Sequence, residues 1–354
     1  MNFDLSDEQR ALAEAARDFF TGSTSPADSR RALDDGTPVT PGRRALADTG
    51  FAAITVPESA GGGGGSVLDL AVVAEQAGRV LAGPSLVTSA RAAVLLAGDD
   101  AHLAALADGS AGYAVLDGTS PVLDAATADR FLALRGTDLV CGRGTVTVGA
   151  PIDPTRGLGD VVLGEVSVLA TDARLRWERA ERVGQVVLAA EGLGGAARAV
   201  ELGVAYAKQR QAFGRAIGSY QAVKHALVDA YVGVEQLRSL VWWAAWAADQ
   251  APDELPMAAA AAKALSAQVF EQATETLIQV HGGIGFTWEH DAHLFWRRAK
   301  VDRLLLGDDV AAFDTVARLA LTLPAAAVAL ASTAHQVDRE SRDGRPISTP
   351  GTTS

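Results

Sequence analysis

Two stretches of this chain carry side chains whose type and spacing can do chemistry. The first, YAKQRQAFGRAIGSY, places Arg210, Phe213 and Gly214 close together. A guanidinium fork can clamp a pyrophosphate through paired N–H donors. An aromatic ring nearby offers a face for an adenine. The second, IQVHGGIGFTWEHDAH, places Gln279 just ahead of Gly282 and Gly283. Paired glycines let a bulky ligand approach the backbone. From residue type alone each group also has an ordinary alternative: a salt bridge, a core ring and a helix C-cap. A third stretch, RLLLGDD, sets Asp308 and Asp309 side by side behind a glycine. Such a pair can be catalytic, can bind a metal, or can simply be solvated.

Other patterns point away from chemistry. AEGLGGAA, residues 190–197, imitates a dinucleotide fingerprint. That fingerprint needs a following strand with an acid roughly 20 residues on, and the downstream sequence reads as helix. The three glycines are expected instead to let helices approach closely. Glycines 61–65 lack the lysine of a phosphate-binding loop and read as a flexible loop. His290 and His293 stand three apart, but spacing suggests no third ligand, so no metal site is expected. Cys141 has no marked basic neighbour except Arg143, which argues against a nucleophile.

The elements that must position these groups follow from composition and periodicity. The chain has 354 residues, 48% of them hydrophobic, enough for two or three structural units. A net charge of −12 argues against non-specific nucleic-acid binding and against an anionic membrane surface. One cysteine excludes an internal disulfide. No apolar run reaches the ~18 residues of a membrane span. The opening MNFDLSDEQR has no signal pattern, so a cytoplasmic location is expected.

Ser6 with Gln9 and Ser66 with Asp69 have capping-box spacing and open two helices. A further helix fits residues 40–50. Residues 1–108 therefore read as a helical domain. Between 109 and 178 the texture turns to short, β-branched, glycine-bounded segments, a small antiparallel sheet or barrel. From about Glu181 the helical pattern returns. Val223, Leu227, Ala230, Val234, Leu237 and Val241 form an apolar stripe suited to a bundle helix. Residues 179–325 read as a helical bundle, and 326–354 as an unstructured polar tail. The fold class is α+β: helical domain, small β domain, four-helix bundle.

At the Arg-x-x-Phe-Gly and Gln-x-x-Gly-Gly motifs, about seventy residues apart, the chain resembles the acyl-CoA dehydrogenase family. LADTGFAAITVPESAGGGG and the helix–sheet–helix order resemble the same family, and the likeness covers residues 1 to about 322. It implies FAD and oxidation of the Cα–Cβ bond of an acyl-CoA thioester, with a glutamate taking the α proton. It also implies a flavin site built from two chains. One chain gives the Arg, Phe, Gln and Gly-Gly to the ADP part. The other gives a Thr/Ser-rich β segment to the ring and an acid-Gly-Thr turn. By this resemblance Arg210, Phe213, Gly214, Gln279, Gly282 and Gly283 bind the cofactor. The Thr/Ser-rich segment is missing from residues 85–125.

The acid-Gly-Thr turn falls on Leu306-Gly307-Asp308, so the base position holds a leucine, which takes no proton. An aspartate ~4 Å from a phosphate would cost on the order of 4 kcal/mol, so Asp308 and Asp309 are expected to form a solvated loop. Some members carry the base near the position of Gly184. Glu181 and Glu191 lie on the same helix and are the candidates for a displaced base; Glu289 matches a family acid expected to be structural.

Three readings follow. The chain resembles the shorter, base-less β-type subunits of heteromeric actinobacterial acyl-CoA dehydrogenases, pairing in a heterotetramer with an α-type chain that carries the base. Sterol side-chain thioesters are the substrate associated with that type. Alternatively it is an active homo-oligomer using Glu181 or Glu191, or a flavin-free scaffold that kept the fold.

Overall fold

The computed structural model describes residues 4–36, 41–83 and 85–322. The tail 326–354 lies outside the described residues. Helix α1 (Asp7–Ser23) opens as its cap spacing predicts. The Ser6 hydroxyl accepts the Gln9 N–H at 3.1 Å, and Gln9 Oε1 accepts the Ser6 N–H at 3.0 Å. Helix α2 (Pro26–Asp35) was not anticipated; it has a proline in its first turn and Asp28 Oδ2 accepting the Ser25 N–H at 2.7 Å, but no long apolar stripe to betray it. Then come α3 (Arg43–Asp48), α4 (Val67–Arg79) with its Ser66–Asp69 box, α5 (Leu86–Leu95) and α6 (Asp100–Ala107).

The glycine run ahead of α4 is not the free loop expected. The N–H groups of Gly62, Gly63, Gly64 and Gly65 donate to the carbonyls of Pro57, Ala53, Val56 and Ile54 at 3.1, 2.9, 2.9 and 2.7 Å. A Cβ at Gly62 would lie 2.2 Å from the Val56 oxygen. The glycines serve close backbone packing, which leaves no trace in periodicity.

Strands β1 (Tyr113–Leu116), β2 (Arg130–Arg135), β3 (Asp138–Thr147) and β4 (Asp160–Ala170) form one sheet in sequence order. The expectation of an antiparallel sheet needs correcting at β1, which pairs parallel to β2. The connection between them is no hairpin. It crosses over, bridging Val122 to Gly159, so both strands run the same way.

Helix α7 (Arg174–Gln209) starts earlier than Glu181. It packs with α8 (Gln221–Gln250) and α9 (Leu255–His281), completed by α10 (Ala292–Leu304) and α11 (Asp309–Thr322). A short hairpin, β5 (Gln211–Ala212) and β6 (Arg215–Ala216), separates α7 from α8. The α8 stripe is buried from Leu227 to Val241, with Val223 half-buried. The 190–197 glycines do pack helices closely. A Cβ at Gly194 would sit 1.8 Å from the Glu75 carbonyl oxygen of α4, and one at Gly195 would sit 2.3 Å from the Phe270 ring of α9.

Buried ion pairs lock the layers together. Arg156, in the β3–β4 connection, reaches Glu191 of α7 at 2.5 Å and Asp302 of α10 at 2.8 Å. Arg298 of α10 pairs with Asp153 at 2.6 Å. Burial opposes the charge on Arg156, but Asp302, then Glu191 and Asp153, hold its guanidinium firmly protonated. Among the described residues no helix is long and apolar enough to cross a membrane.

Candidate functional site

The arginine motif begins where α7 stops. Arg210 caps the helix, and its carbonyl accepts the Ile217 N–H at 2.8 Å, closing the β5–β6 hairpin. The Tyr220 hydroxyl donates to the Ala212 carbonyl at 3.0 Å, and the Arg215 guanidinium lies 4.0 Å from the Tyr220 ring centre. Phe213 and Gly214 form the tip, both with left-handed φ, at 52° and 79°. That two-residue geometry suits Asn-Gly far better than Phe-Gly. A phenylalanine held so costs on the order of 1 kcal/mol, and its ring is 96% exposed. The hairpin thus presents an aromatic face to the outside. The Arg210 guanidinium is exposed and makes no ion pair with a described residue.

The glutamine motif stands where α9 stops. Gln279 is exposed, and its carbonyl accepts the N–H of Gly282. Gly282 has φ 63 and ψ −140, a conformation open essentially to glycine alone. A Cβ at Gly282 or Gly283 would meet nothing within 4 Å, so the bare backbone faces open space. The two motifs meet at one end of the α7–α9 pair. Tyr206, one turn before Arg210, stacks on His281, which precedes Gly282, at 4.0 Å between ring centres. This donor set fits a nucleotide diphosphate: a free fork, a side-chain amide, accessible backbone and an unused ring face.

The second place of interest is the turn after α10. Leu306 is buried with φ 57, and the Gln185 side chain donates to its carbonyl at 3.0 Å. Gly184 lies directly across. A Cβ there would sit 3.0 Å from Leu306 Cδ1 and 2.8 Å from Cδ of Arg91. Both positions to which the resemblance would assign a base therefore converge, and neither holds an acid. The Arg91 stem occupies the space beside them. Its guanidinium pairs with Asp117 at 2.9 Å, and its Nε has no described partner. Burial lowers the Arg91 pKa, against the pull of Asp117. Arg91 was not anticipated, although a lone charge in the apolar run LVTSARAAVLLAG of α5 was the available signal.

The two candidate bases fall elsewhere. Glu191 is buried, bound by Arg156 and accepting the Ser85 hydroxyl at 3.3 Å. Glu181 is half-buried and faces the charge of Arg91. Glu289 is exposed. The expectation of a solvated Asp308–Asp309 loop holds for Asp308 and fails for Asp309. Asp308 is exposed and caps α11, accepting the Ala311 N–H at 2.8 Å. Asp309 is buried and pairs with both arms of Arg303 at 2.8 and 3.1 Å. Periodicity could not reveal a partner one and a half turns back, across a helix break.

The segment after β1, where the flavin-ring motif is missing, packs against its own chain. Asp124 is buried there, accepting the Ser85 N–H at 3.2 Å and the Thr88 hydroxyl. Burial pushes its pKa up to about 6, despite those bonds. Among the described residues no group of three or more His, Cys, Asp or Glu could hold a metal.

Comparison with known proteins gives the context. Residues 6–102 match the model for the acyl-CoA dehydrogenase N-terminal domain, and residues 175–321 the model for the C-terminal domain. The chain is 36% identical over 308 residues to acyl-CoA dehydrogenase IpdE2 of Mycobacterium tuberculosis, covering 85% of this chain and 93% of that one. It is 34% identical over 328 residues to acyl-CoA dehydrogenase FadE34 of the same organism, covering 83% of this chain but 45% of FadE34. Among solved structures it is similar to the Tcur3481-Tcur3483 steroid ACAD, at 25% identity and a TM-score of 0.78, covering 89% of this chain and 98% of that one.

Proposed function

The chain belongs to the acyl-CoA dehydrogenase family, and from that premise we propose that it is the base-less subunit of a heteromeric, FAD-dependent member. It contributes the ADP-binding half of a shared flavin site. Arg210 holds the pyrophosphate, Phe213 lies on the adenine, and Gln279 with the backbone at Gly214, Gly282 and Gly283 completes the cradle. A partner chain encloses the flavin ring and supplies the carboxylate. The chemistry such a flavin supplies is acceptance of the β hydride as the α proton leaves.

The observation that carries this reading is the pairing of Leu306 with Gly184. Two acid positions converge in space and both are empty of acid, while the stem of Arg91 fills the gap. Proton abstraction needs a carboxylate within hydrogen-bond reach. Glu191 is committed to Arg156, and Glu181 stands beside a buried cation. That placement speaks against the homo-oligomer with a relocated base. The unpaired Arg210 and the strained, exposed Phe213 speak against a flavin-free scaffold, which would have no use for either.

Two relatives support a partner. The steroid ACAD is named as a pair, Tcur3481-Tcur3483. FadE34 resembles this chain over less than half its own length, which leaves room in one polypeptide for a second unit of the same size. The substrate class we assign is a bulky steroid-type acyl-CoA thioester, supported by the name of the Tcur3481-Tcur3483 pair.

The test is co-expression with an adjacent longer homologue that carries the missing acid. We expect little FAD on the chain purified alone and about one FAD per heterodimer in the assembly, with Arg210→Ala lowering that occupancy at least tenfold, or ~1.4 kcal/mol. A yellow preparation of this chain alone, bleached by an acyl-CoA, would refute the proposal. Unchanged flavin after Arg210→Ala would remove the assigned cradle.

A further inference from the structure

We propose that Tyr206 and His281 are positioning residues of the nucleotide cradle, holding the glycine turn of α9 in register with the arginine hairpin after α7. The inference rests on the reading of that cradle as the ADP-binding half of a flavin site. Neither residue carries a donor that the cradle needs; their part is mechanical.

The geometry is specific. The Tyr206 ring lies 4.0 Å from His281 at an interplanar angle of 27°. His281 Nδ1 lies 2.8 Å from the Leu277 carbonyl, so this nitrogen carries the proton and the ring is fixed in orientation. The His290 ring sits 4.2 Å from that of His281. His290 is itself anchored, its Nδ1 accepting the Ala292 N–H at 3.1 Å. The loop that bears it is gripped from α2: Arg30 donates to the Glu289 carbonyl at 2.8 Å and to Asp291 at 3.0 Å. Tyr206 stacked on His281, and His290 tilted against it at 47°, therefore form a ladder of three rings at the end of α9, where Gly282 and Gly283 follow.

What the ladder does follows from where the ligand groups sit. Arg210 is one turn beyond Tyr206, and Gln279 and Gly282 flank His281. A diphosphate touching both motifs is bound well only if their separation is held to about 0.5 Å. Helix packing sets the axes of α7 and α9 but leaves their last turns free to fray. Flat rings in contact resist that sliding, and stacked pairs contribute beyond simple burial. An aliphatic side chain of similar size would fill the volume without fixing the register. The Tyr206 hydroxyl makes no hydrogen bond to a described residue, so the ring itself is the working part.

The test uses the full chain with ADP as the probe, its binding followed by saturation-transfer NMR and fold stability by thermal melting. Tyr206→Phe and His281→Phe keep the stack and should hold ADP affinity within about twofold. Tyr206→Leu and His281→Leu should weaken it about tenfold, with the melting midpoint unchanged. Undiminished ADP binding in the leucine variants would overturn the inference. So would phenylalanine variants as weak as the leucine ones, or a loss of affinity that merely follows a loss of stability. Arg210→Ala separates this inference from the reading beneath it. If that variant binds ADP as well as the parent, the cradle assignment falls and takes the ladder with it. If it loses ADP while the leucine variants do not, only the ladder falls.

Discussion

At the scale of single residues, the molecule keeps some ionisable groups where they cost stability. Lys263 of α9 is 1% exposed, and its ammonium donates to the Arg303 carbonyl at 2.9 Å. Burial lowers its pKa to about 8, although Asp302, Asp309 and Asp308 pull the other way. Between pH 8 and the unfolded value of 10.5, the unfolded chain binds a proton that the folded chain lacks, so stability rises with pH across that window. Below it a penalty on the order of 3 kcal/mol persists. Lys263→Met should flatten that rise, as measured by urea unfolding at several alkaline pH values. Asp124 behaves in the mirrored sense. Its folded pKa, about 6, stands above the ordinary 3.8, so its contribution favours folding below 3.8 and fades as pH climbs through 6. Asp124→Asn should remove that acidic slope.

The position to which the resemblance assigns a base, Leu306, also belongs to this scale. A glutamate introduced as Leu306→Glu would meet the Arg91 stem and pair with its guanidinium rather than face a substrate. The chain alone should therefore gain no acyl-CoA-dependent flavin bleaching from this substitution. Bleaching in that variant would show that a substrate-sized space exists beside Leu306.

At the scale of elements, the glycines divide into two kinds that composition cannot distinguish. Gly194 is pressed against the α4 backbone, and its absent Cβ is a condition for that crossing. Gly194→Ala should destabilise the fold by about 3 kcal/mol, read as a lower midpoint in denaturant. Gly283 faces open space at the end of α9. Gly283→Ala should leave stability within about 0.5 kcal/mol of the parent while lowering flavin occupancy of the assembly. The contrast assigns one glycine to packing and the other to ligand approach. An equal stability loss in both would contradict it.

At the scale of the whole molecule, some of the exposed apolar side chains stand near the proposed cradle, while others lie on the sheet and along α8 and α11. Phe213, Ile284, Phe286 and Trp288 all stand out from the surface around the ends of α7 and α9. Under the proposed reading, in which a flavin is shared between chains, a partner covers this end. Phe286→Asp should reduce co-purification of the partner without changing the melting of the chain alone. Equal recovery of the partner would move the interface elsewhere.

The residues alone determined the fold class, because long apolar stripes and capping boxes are local and leave a direct mark on the sequence. They also marked the residues proposed for the cradle, through two motifs whose types are unusual at that spacing, and they put at position 306 a leucine, which takes no proton. What only the tertiary structure decided was proximity. It brought Gly184, Leu306 and Arg91 together from three separate elements, buried Glu191 on Arg156 and Asp309 on Arg303, and turned a run of glycines into hydrogen-bonded packing. Those outcomes depend on contacts between residues far apart in the chain, and neither periodicity nor composition encodes which distant side chain fills a given space.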